Sequence, residues 1–140
     1  MIKIVLNTLI PGDKKLNMPP ASEIGFNAYE IKYEIKQITI DFLSELTKIS
    51  QSQFSKIFIE LGEDQKKKAL NIFKLKNIRL FSVFLKHVFR AYYSDIRVLS
   101  LLRVGSSPPF PDGNEIKEDD WSILSPVYER GPIYKIIDED

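Results

Sequence analysis

A chain of 140 residues with a net charge of +1 and no cysteine excludes several classes of protein at once. Without cysteine there is no disulfide framework, no iron–sulfur cluster and no cysteine nucleophile. The net charge is too small to create an overall field that attracts nucleic acid or a membrane. The length is typical of one domain, and no apolar run reaches the roughly 18 residues of a membrane-spanning helix.

The first third of the chain predicts two helices joined by a loop. Residues 2–10 form a short apolar helix, which Pro11-Gly12-Asp13 ends. Residues 14–21 are expected to be a loop, because two consecutive prolines block regular hydrogen bonding. Ser22 is the expected N-cap of the following segment, and apolar residues near a 3.6 period predict one continuous helix over 26–48.

Three further elements follow in the middle of the chain. Residues 51–61 predict a short element that Gly62 ends, and a helix then runs from Glu63-Asp64 to about Lys76. The strongest helical pattern covers 77–93, where one narrow polar stripe interrupts an otherwise apolar surface. A helix of this kind is typical of the centre of a bundle. We therefore expect an all-α fold, a small bundle of four to five helices.

The C-terminal quarter is different in character. Residues 105–140 contain five prolines and three glycines without a sustained period, together with aromatic anchors that disordered chains lack. We expect a helical domain over 1–104 and an extended segment over 105–140 that packs on the domain or on a partner. Charge is divided as well, with ten Lys/Arg and two acids from Asp64 to Arg103, and nine acids and three bases from Asp112 to Asp140. An acidic tail that covers a basic helical face is the simplest explanation, and it argues against nucleic acid as a partner.

Candidate catalytic and metal-binding residues are few. His87 is the only histidine, and no spacing of acids suggests further metal ligands around it, so a structural or surface role is expected. A triad of His87, Ser94 and Asp95 can be drawn, but no nucleophile elbow accompanies Ser94. There is also no glycine-rich phosphate loop. We expect no catalytic, cofactor-binding or metal-binding residue in this chain.

The sequence Tyr92-Tyr93-Ser94-Asp95 at the end of the strongest helix has two interpretations. Ser94 or Asp95 can cap a helix that restarts at Ile96, and Arg97 lies close enough to pair with Asp95. The segment is then a corner between two helices, with half-buried tyrosines whose hydroxyls are hydrogen-bonded. It can equally be a corner at which a partner docks.

Three stretches of the sequence, taken together, resemble a known family. They are TLIPGD…MPPASEIGF (8–26), FRAYYSDIRVL (89–99) and the tail PPFPDGNEIKEDDWSILSPVYERGPIYK (108–135). In their order and approximate spacing they are similar to the small subunit family of gluconate 2-dehydrogenase, also called subunit 3. Between the first two stretches, residues 27–76 match only in being helical.

The resemblance implies a helical accessory subunit without catalytic residues of its own. Its partner would be a large flavin-dependent subunit that oxidises sugars or other alcohols, with FAD in that partner. Family members often carry a twin-arginine export signal, which is not seen here, so the expected location is cytoplasmic or co-exported with the partner. Neither nucleic acid binding nor direct membrane insertion is expected. The candidate partner-binding residues are Tyr92, Tyr93, Asp95, Arg97, Pro109, Phe110, Pro111 and Trp121.

Two other functions remain open from the sequence. One is a stand-alone helical adaptor or regulator that binds an unrelated protein. The other is a small hydrolase or metal-dependent enzyme that uses His87. A neighbouring gene that encodes a flavin-binding fingerprint would favour the accessory subunit over both.

Overall fold

The structure, a computed structural model, describes residues 1–102, 120–131 and 133. The chain divides into two compact units, Met1–Ser107 and Pro108–Asp140. Every regular element in the described residues is helical, and none of these residues forms a β-strand. The predicted all-α fold is confirmed.

Among the described residues, six α-helices lie in the first unit and one in the second. Those of the first unit are α1 (Ile2–Leu9), α2 (Phe26–Lys32), α3 (Lys36–Phe54), α4 (Glu63–Lys76), α5 (Ile78–Tyr92) and α6 (Ile96–Leu101), with a short 3₁₀ helix (Phe58–Glu60) before α4. In the second unit a 3₁₀ helix (Trp121–Leu124) leads directly into α7 (Ser125–Arg130). No helix among the described residues is long and apolar enough to cross a lipid bilayer.

The core of the first unit is aromatic, and Phe42 of α3 lies at its centre. The ring of Phe42 stacks on Phe84 of α5 with centroids 3.9 Å apart, and it lies 4.6 Å from Phe73 of α4. Phe73 in turn meets Phe81 edge to face at 5.8 Å. Offset and edge-to-face pairs of this kind add to the free energy gained from burying the rings. The cluster holds α3, α4 and α5 together.

The ends of α4 carry the charges that the sequence predicted, and α5 begins with a side-chain cap that was not predicted. Glu63 and Asp64 lie in the first turn of α4, and lysines occupy its last turn, as the helix dipole favours. The side chain of Asn77 accepts a hydrogen bond from the Leu80 N–H at 3.1 Å and caps α5. A single residue therefore separates the two helices.

Helix α5 lies at the centre of the bundle, as its largely apolar composition predicts, but not all of its apolar surface is buried. It packs against α2, α3 and α4, and its inward side buries Phe81, Phe84 and Val88. The apolar surface nevertheless extends beyond the core, because Val83 and Phe89 are exposed on the outer side of the helix. The helix is central to the bundle but keeps one face toward solvent.

The single helix predicted over 26–48 is wrong, because the chain breaks between α2 and α3 at Glu34. This residue has a left-handed backbone with φ 53°. The N–H of Ile35 bonds to the Glu30 carbonyl at 3.1 Å, and the N–H of Glu34 bonds to the Ile31 carbonyl at 3.3 Å. These two bonds form a Schellman motif, a helix ending that usually has glycine at the left-handed position. Burial of Ile35 just beyond the turn offsets the strain.

The short element predicted over 51–61 is also wrong in its bounds. Helix α3 continues without interruption to Phe54 and ends at Ser55, which again has a left-handed backbone. After this helix end, the 3₁₀ helix contains only three residues, and Phe58 within it is fully buried. The buried apolar residue, rather than helical periodicity, fixes this part of the chain against α3.

Candidate functional site

The candidate site is the turn between α5 and α6, residues 92–97, which we call the Tyr92–Arg97 corner. Tyr92 is the last residue of α5 and is 2% exposed. Its hydroxyl donates a 2.7 Å hydrogen bond to the Pro19 carbonyl, far away in the sequence. Burial raises the pKa of Tyr92, which keeps the hydroxyl protonated as a donor. The tyrosine thus attaches the corner to the loop that follows α1.

Asp95 and Arg97 make the second half of the corner. The Asp95 carboxylate caps α6 by accepting from the Arg97 N–H at 3.0 Å, and it also accepts from Nε and Nη2 of the same arginine, each at 3.1 Å. These hydrogen bonds from Arg97 lower the pKa of Asp95 below its usual range, and the pairing raises the pKa of Arg97. The predicted cap and the predicted Asp95–Arg97 pair are both confirmed.

Arg97 also connects the corner to the loop. Its Nη2 donates a 2.6 Å hydrogen bond to the Glu23 carbonyl, 74 residues earlier. The guanidinium therefore bridges a helix cap and a distant backbone carbonyl at the same time, which its fixed fork of donors allows. Lysine has a single nitrogen and could not occupy both positions in this geometry.

The loop that receives these bonds is tightly folded. Asp13 and Met18 exchange two backbone hydrogen bonds, of 3.0 and 2.8 Å, across a turn that contains Asn17 with φ 55°. Gly12 has φ 79°, and a Cβ at this position would lie 2.7 Å from the Met18 carbonyl oxygen. Glycine is therefore needed at position 12 for the backbone shape of this loop.

Ser22 does not have the predicted role of helix cap. Helix α2 begins only at Phe26, with Gly25 at its N-cap position. The Ser22 N–H instead donates to the side chain of Asn7 in α1 at 2.9 Å. The Pro-Pro-Ala-Ser-Glu segment is thus an ordered loop fastened to α1, and its backbone groups are used in tertiary bonds.

An exposed apolar surface begins on α5 just before the corner and continues into it. Phe89 of α5 and Tyr93, the C-cap residue of that helix, lie one turn apart with ring centroids at 6.3 Å, and they are 42% and 51% exposed. Ile96, at the start of α6, is 67% exposed. We call Phe89, Tyr93 and Ile96 the aromatic edge. Tyr93 does not have the half-buried, hydrogen-bonded position predicted for both tyrosines, since only Tyr92 is buried.

His87 of α5 packs against α2. Its Nδ1 lies 3.1 Å from the hydroxyl of Tyr29, and the two rings meet edge to face. Burial lowers the pKa of His87, and the nearby charges of Arg90 and Lys86 lower it further. Within residues 1–102, 120–131 and 133, no group of three or more acidic or histidine side chains could hold a metal ion.

The predicted partner-binding residues fall into three groups. Tyr92, Tyr93, Asp95 and Arg97 come together in the corner. Trp121 is the first residue of the 3₁₀ helix in the second unit, where the Asp120 side chain accepts from the Ser122 N–H. The remaining three, Pro109, Phe110 and Pro111, lie outside the described residues, as does most of the predicted acidic tail.

Sequence reasoning did not identify several participants. The carbonyl groups of Pro19 and Glu23 carry no signal in their side chains, and only the fold brings them to the corner. Phe89 could have been found, because it precedes Tyr93 by four residues and so shares its helical face. An apolar groove of about 320 Å³ between α1, α2 and α3, lined by Leu6, Phe26 and Leu43 among others, was also not anticipated.

The described part of this protein is an all-α helical bundle without a β-strand. The loop between α1 and α2 is held to the Tyr92–Arg97 corner by hydrogen bonds. A scan against protein-family models and searches of the curated proteins and of the solved structures found no match to the chain.

Proposed function

We propose that this chain is a non-catalytic accessory subunit that binds a large flavin-dependent oxidoreductase subunit. One observation carries the proposal. Two separate stretches that resemble the small-subunit family, 8–26 and 89–99, are joined by the hydrogen bonds from Tyr92 to Pro19 and from Arg97 to Glu23. The two stretches therefore form one structural unit at which a partner could dock.

The aromatic edge, which shares two residues with the corner, supports a role in binding another protein. Aromatic side chains and arginine are enriched at the centres of protein interfaces, where they supply much of the binding free energy. Phe89 and Tyr93 offer such rings next to Arg97, whose side chain is 55% exposed. Because the loop and the corner are already fastened together, docking at this place costs little conformational entropy.

The division of roles in the proposed complex follows from the family resemblance. The large subunit would hold FAD and oxidise a sugar or another alcohol, and this chain would contribute the docking surface without a cofactor of its own. Pro109, Phe110, Pro111 and Trp121 are proposed as additional contacts, because prolines restrict the unbound segment and aromatic anchors fill pockets.

Affinity purification of the tagged chain from its native cell tests the proposal. We expect a large protein to be retained and to show the absorption spectrum of bound flavin. Phe89→Ser combined with Tyr93→Ser should remove the flavoprotein from the eluate. Ile31→Ser combined with Tyr33→Ser is the control, since it removes two large exposed side chains, 71% and 51% exposed, at the end of α2.

The contribution of the second unit is tested by Phe110→Ala combined with Trp121→Ala. We expect this variant to lose the flavoprotein and to keep the helicity of the wild type in far-ultraviolet circular dichroism. If the wild-type chain elutes as one colourless species, the accessory role is contradicted and a stand-alone adaptor is favoured.

A further inference from the structure

The turn between α4 and α5 exposes two aliphatic side chains at one end of the bundle. Leu75 is 85% exposed and Ile78 is 56% exposed, although both belong to well-formed helices. Asn77 between them caps α5, so the turn is held by the fold. We call Lys74, Leu75, Lys76, Ile78 and Arg79 the α4–α5 tip. Large apolar side chains at such exposure stay in water at a cost unless something covers them.

Every charged residue of the tip is a base. Lys74, Lys76 and Arg79 are all exposed, and they alternate with the two aliphatic residues. The thirty residues from Gln65 to Ser94 contain eight Lys/Arg and no Asp or Glu. None of the ion pairs found within the described residues involves a base of the tip.

The same character continues along the outer face of α4. Lys67 and Lys68 precede Lys74 and Leu75 by seven residues, which is two helical turns, and both lysines are exposed. One side of α4 therefore presents a row of cations that ends in exposed aliphatic side chains. The positive field acts on any anionic surface that approaches the tip, even though the whole chain is close to neutral.

The size and chemistry of the tip favour a membrane over a protein as its partner. A stable protein interface needs about 20–30 residues a side with a continuous apolar centre, and two aliphatic side chains do not provide one. A lipid surface has no such requirement, because its acyl boundary accepts single apolar side chains and its phosphates attract each nearby lysine or arginine.

We propose that the α4–α5 tip docks on the surface of an anionic lipid membrane. Leu75 and Ile78 enter the boundary between headgroups and acyl chains, and Lys74, Lys76 and Arg79 lie at the level of the lipid phosphates. This contact is peripheral and does not require a spanning helix. It also does not depend on a flavoprotein partner, so it can hold or fail independently of the proposed accessory function.

Sedimentation of the purified full-length chain with lipid vesicles tests the proposal. We expect binding to phosphatidylcholine vesicles that contain phosphatidylglycerol, weaker binding as salt is raised, and little binding to phosphatidylcholine alone. Leu75→Ser with Ile78→Ser should weaken partition by at least about tenfold, because two buried aliphatic side chains are lost. Lys74→Gln, Lys76→Gln and Arg79→Gln together should weaken it by a similar factor and flatten the salt dependence.

The matched control combines Leu16→Ser with Lys14→Gln and Lys15→Gln. It removes an aliphatic side chain that is 66% exposed and two neighbouring lysines in the loop before α2. We expect this variant to bind anionic vesicles as the wild type does, and circular dichroism should show that all variants keep their helicity. Their fold is not at risk from the tip substitutions, because none of the five side chains is buried.

Three results would overturn the proposal: no sedimentation with anionic vesicles at low salt, equal binding to neutral vesicles, or a control variant that loses as much binding as the tip variants. Binding of poly-glutamate in place of vesicles, with the same dependence on the tip lysines, would assign this face to an acidic protein surface instead.

Discussion

The hydroxyl of Tyr92 bonds to the carbonyl of Pro19 at 2.7 Å across a sequence separation of 73 residues. This bond holds the end of α5 against the loop after α1. The bond from Arg97 to Glu23 holds the start of α6 against the same loop. The two bonds make the loop and the Tyr92–Arg97 corner a single unit. The proposed docking surface includes Tyr93 of that unit and Phe89, one turn before it on α5.

The Tyr92 hydroxyl should contribute measurably to stability. Tyr92→Phe leaves the Pro19 carbonyl without its donor, and we expect a loss of about 1–2 kcal/mol in the free energy of unfolding. Tyr93→Phe is the control, because Tyr93 is exposed and its change should be within about 0.5 kcal/mol. Urea unfolding followed by circular dichroism measures both. Equal losses in the two variants would contradict the role given to the Tyr92–Pro19 bond.

Gly12 and Gly25 provide a matched test of the loop. Gly12→Ala places a methyl group 2.7 Å from the Met18 carbonyl oxygen at a backbone with φ 79°, so we expect a loss of about 1–3 kcal/mol. Gly25 has φ −71°, and a methyl group there would have no neighbour within 4 Å. Gly25→Ala should therefore be neutral or slightly stabilising. Thermal unfolding of both variants gives the comparison, and a neutral Gly12→Ala would show that the loop is not fixed as described.

Asp95 should titrate abnormally because of Arg97. Its pKa is lowered in the folded state, so its stabilising contribution is present above the ordinary value of 3.8 and is lost as the pH falls through the lower folded pKa. Arg97→Gln should return the pKa of Asp95 toward its ordinary range. Nuclear magnetic resonance of the carboxyl carbon can follow the titration. Lys48→Gln, far from the corner in sequence, should leave the Asp95 titration unchanged.

His87 should make the protein less stable in mild acid. Its folded pKa lies below the ordinary value of 6.5, mainly because of burial, so its contribution is present above that value and is lost as the pH falls through the folded pKa. His87→Gln should reduce the loss of stability that occurs as the pH falls below the ordinary histidine pKa of 6.5, because this is the only histidine in the chain. Urea midpoints at several pH values give the slope. An unchanged slope would contradict the burial of the imidazole against Tyr29.

Glu34 is a site where glycine should improve stability. Its left-handed backbone, with φ 53°, strains any residue that has a Cβ. Glu34→Gly should stabilise the protein by about 0.5–1 kcal/mol after the added freedom of the unfolded chain is included. Glu45→Gly, within α3, should destabilise by about 1 kcal/mol, because glycine is a poor helix former. If both substitutions destabilise, the break between α2 and α3 is not where the structure places it.

Local signals in the sequence were sufficient for part of the fold. The acids at the start of α4, the lysines at its end and the cap at Asp95 each act within one helical turn, so their roles were predictable. The apolar periodicity of α5 also identified the central helix. The break at Glu34 was not predictable from these rules, because the usual signal for a left-handed helix ending is glycine or asparagine.

Only the contacts between neighbouring residues of the candidate site could be predicted from the sequence. Asp95 and Arg97 are two residues apart, and their pairing follows from that spacing. The partners of Tyr92 and Arg97 in the loop are backbone carbonyls more than 70 residues away, and any residue type supplies such a group. The exposure of Leu75 and Ile78 could not be predicted either, since a periodic pattern does not show which apolar side chains the neighbouring helices leave uncovered.

The most direct test of the central proposal is the composition and absorption spectrum of the complex that the tagged chain retains from its native cell. We predict a large flavoprotein bound to the chain, present in the Ile31→Ser/Tyr33→Ser eluate and absent from the Phe89→Ser/Tyr93→Ser eluate. A chain that elutes alone and colourless, or a flavoprotein retained equally by both variants, would contradict the proposed docking at the aromatic edge.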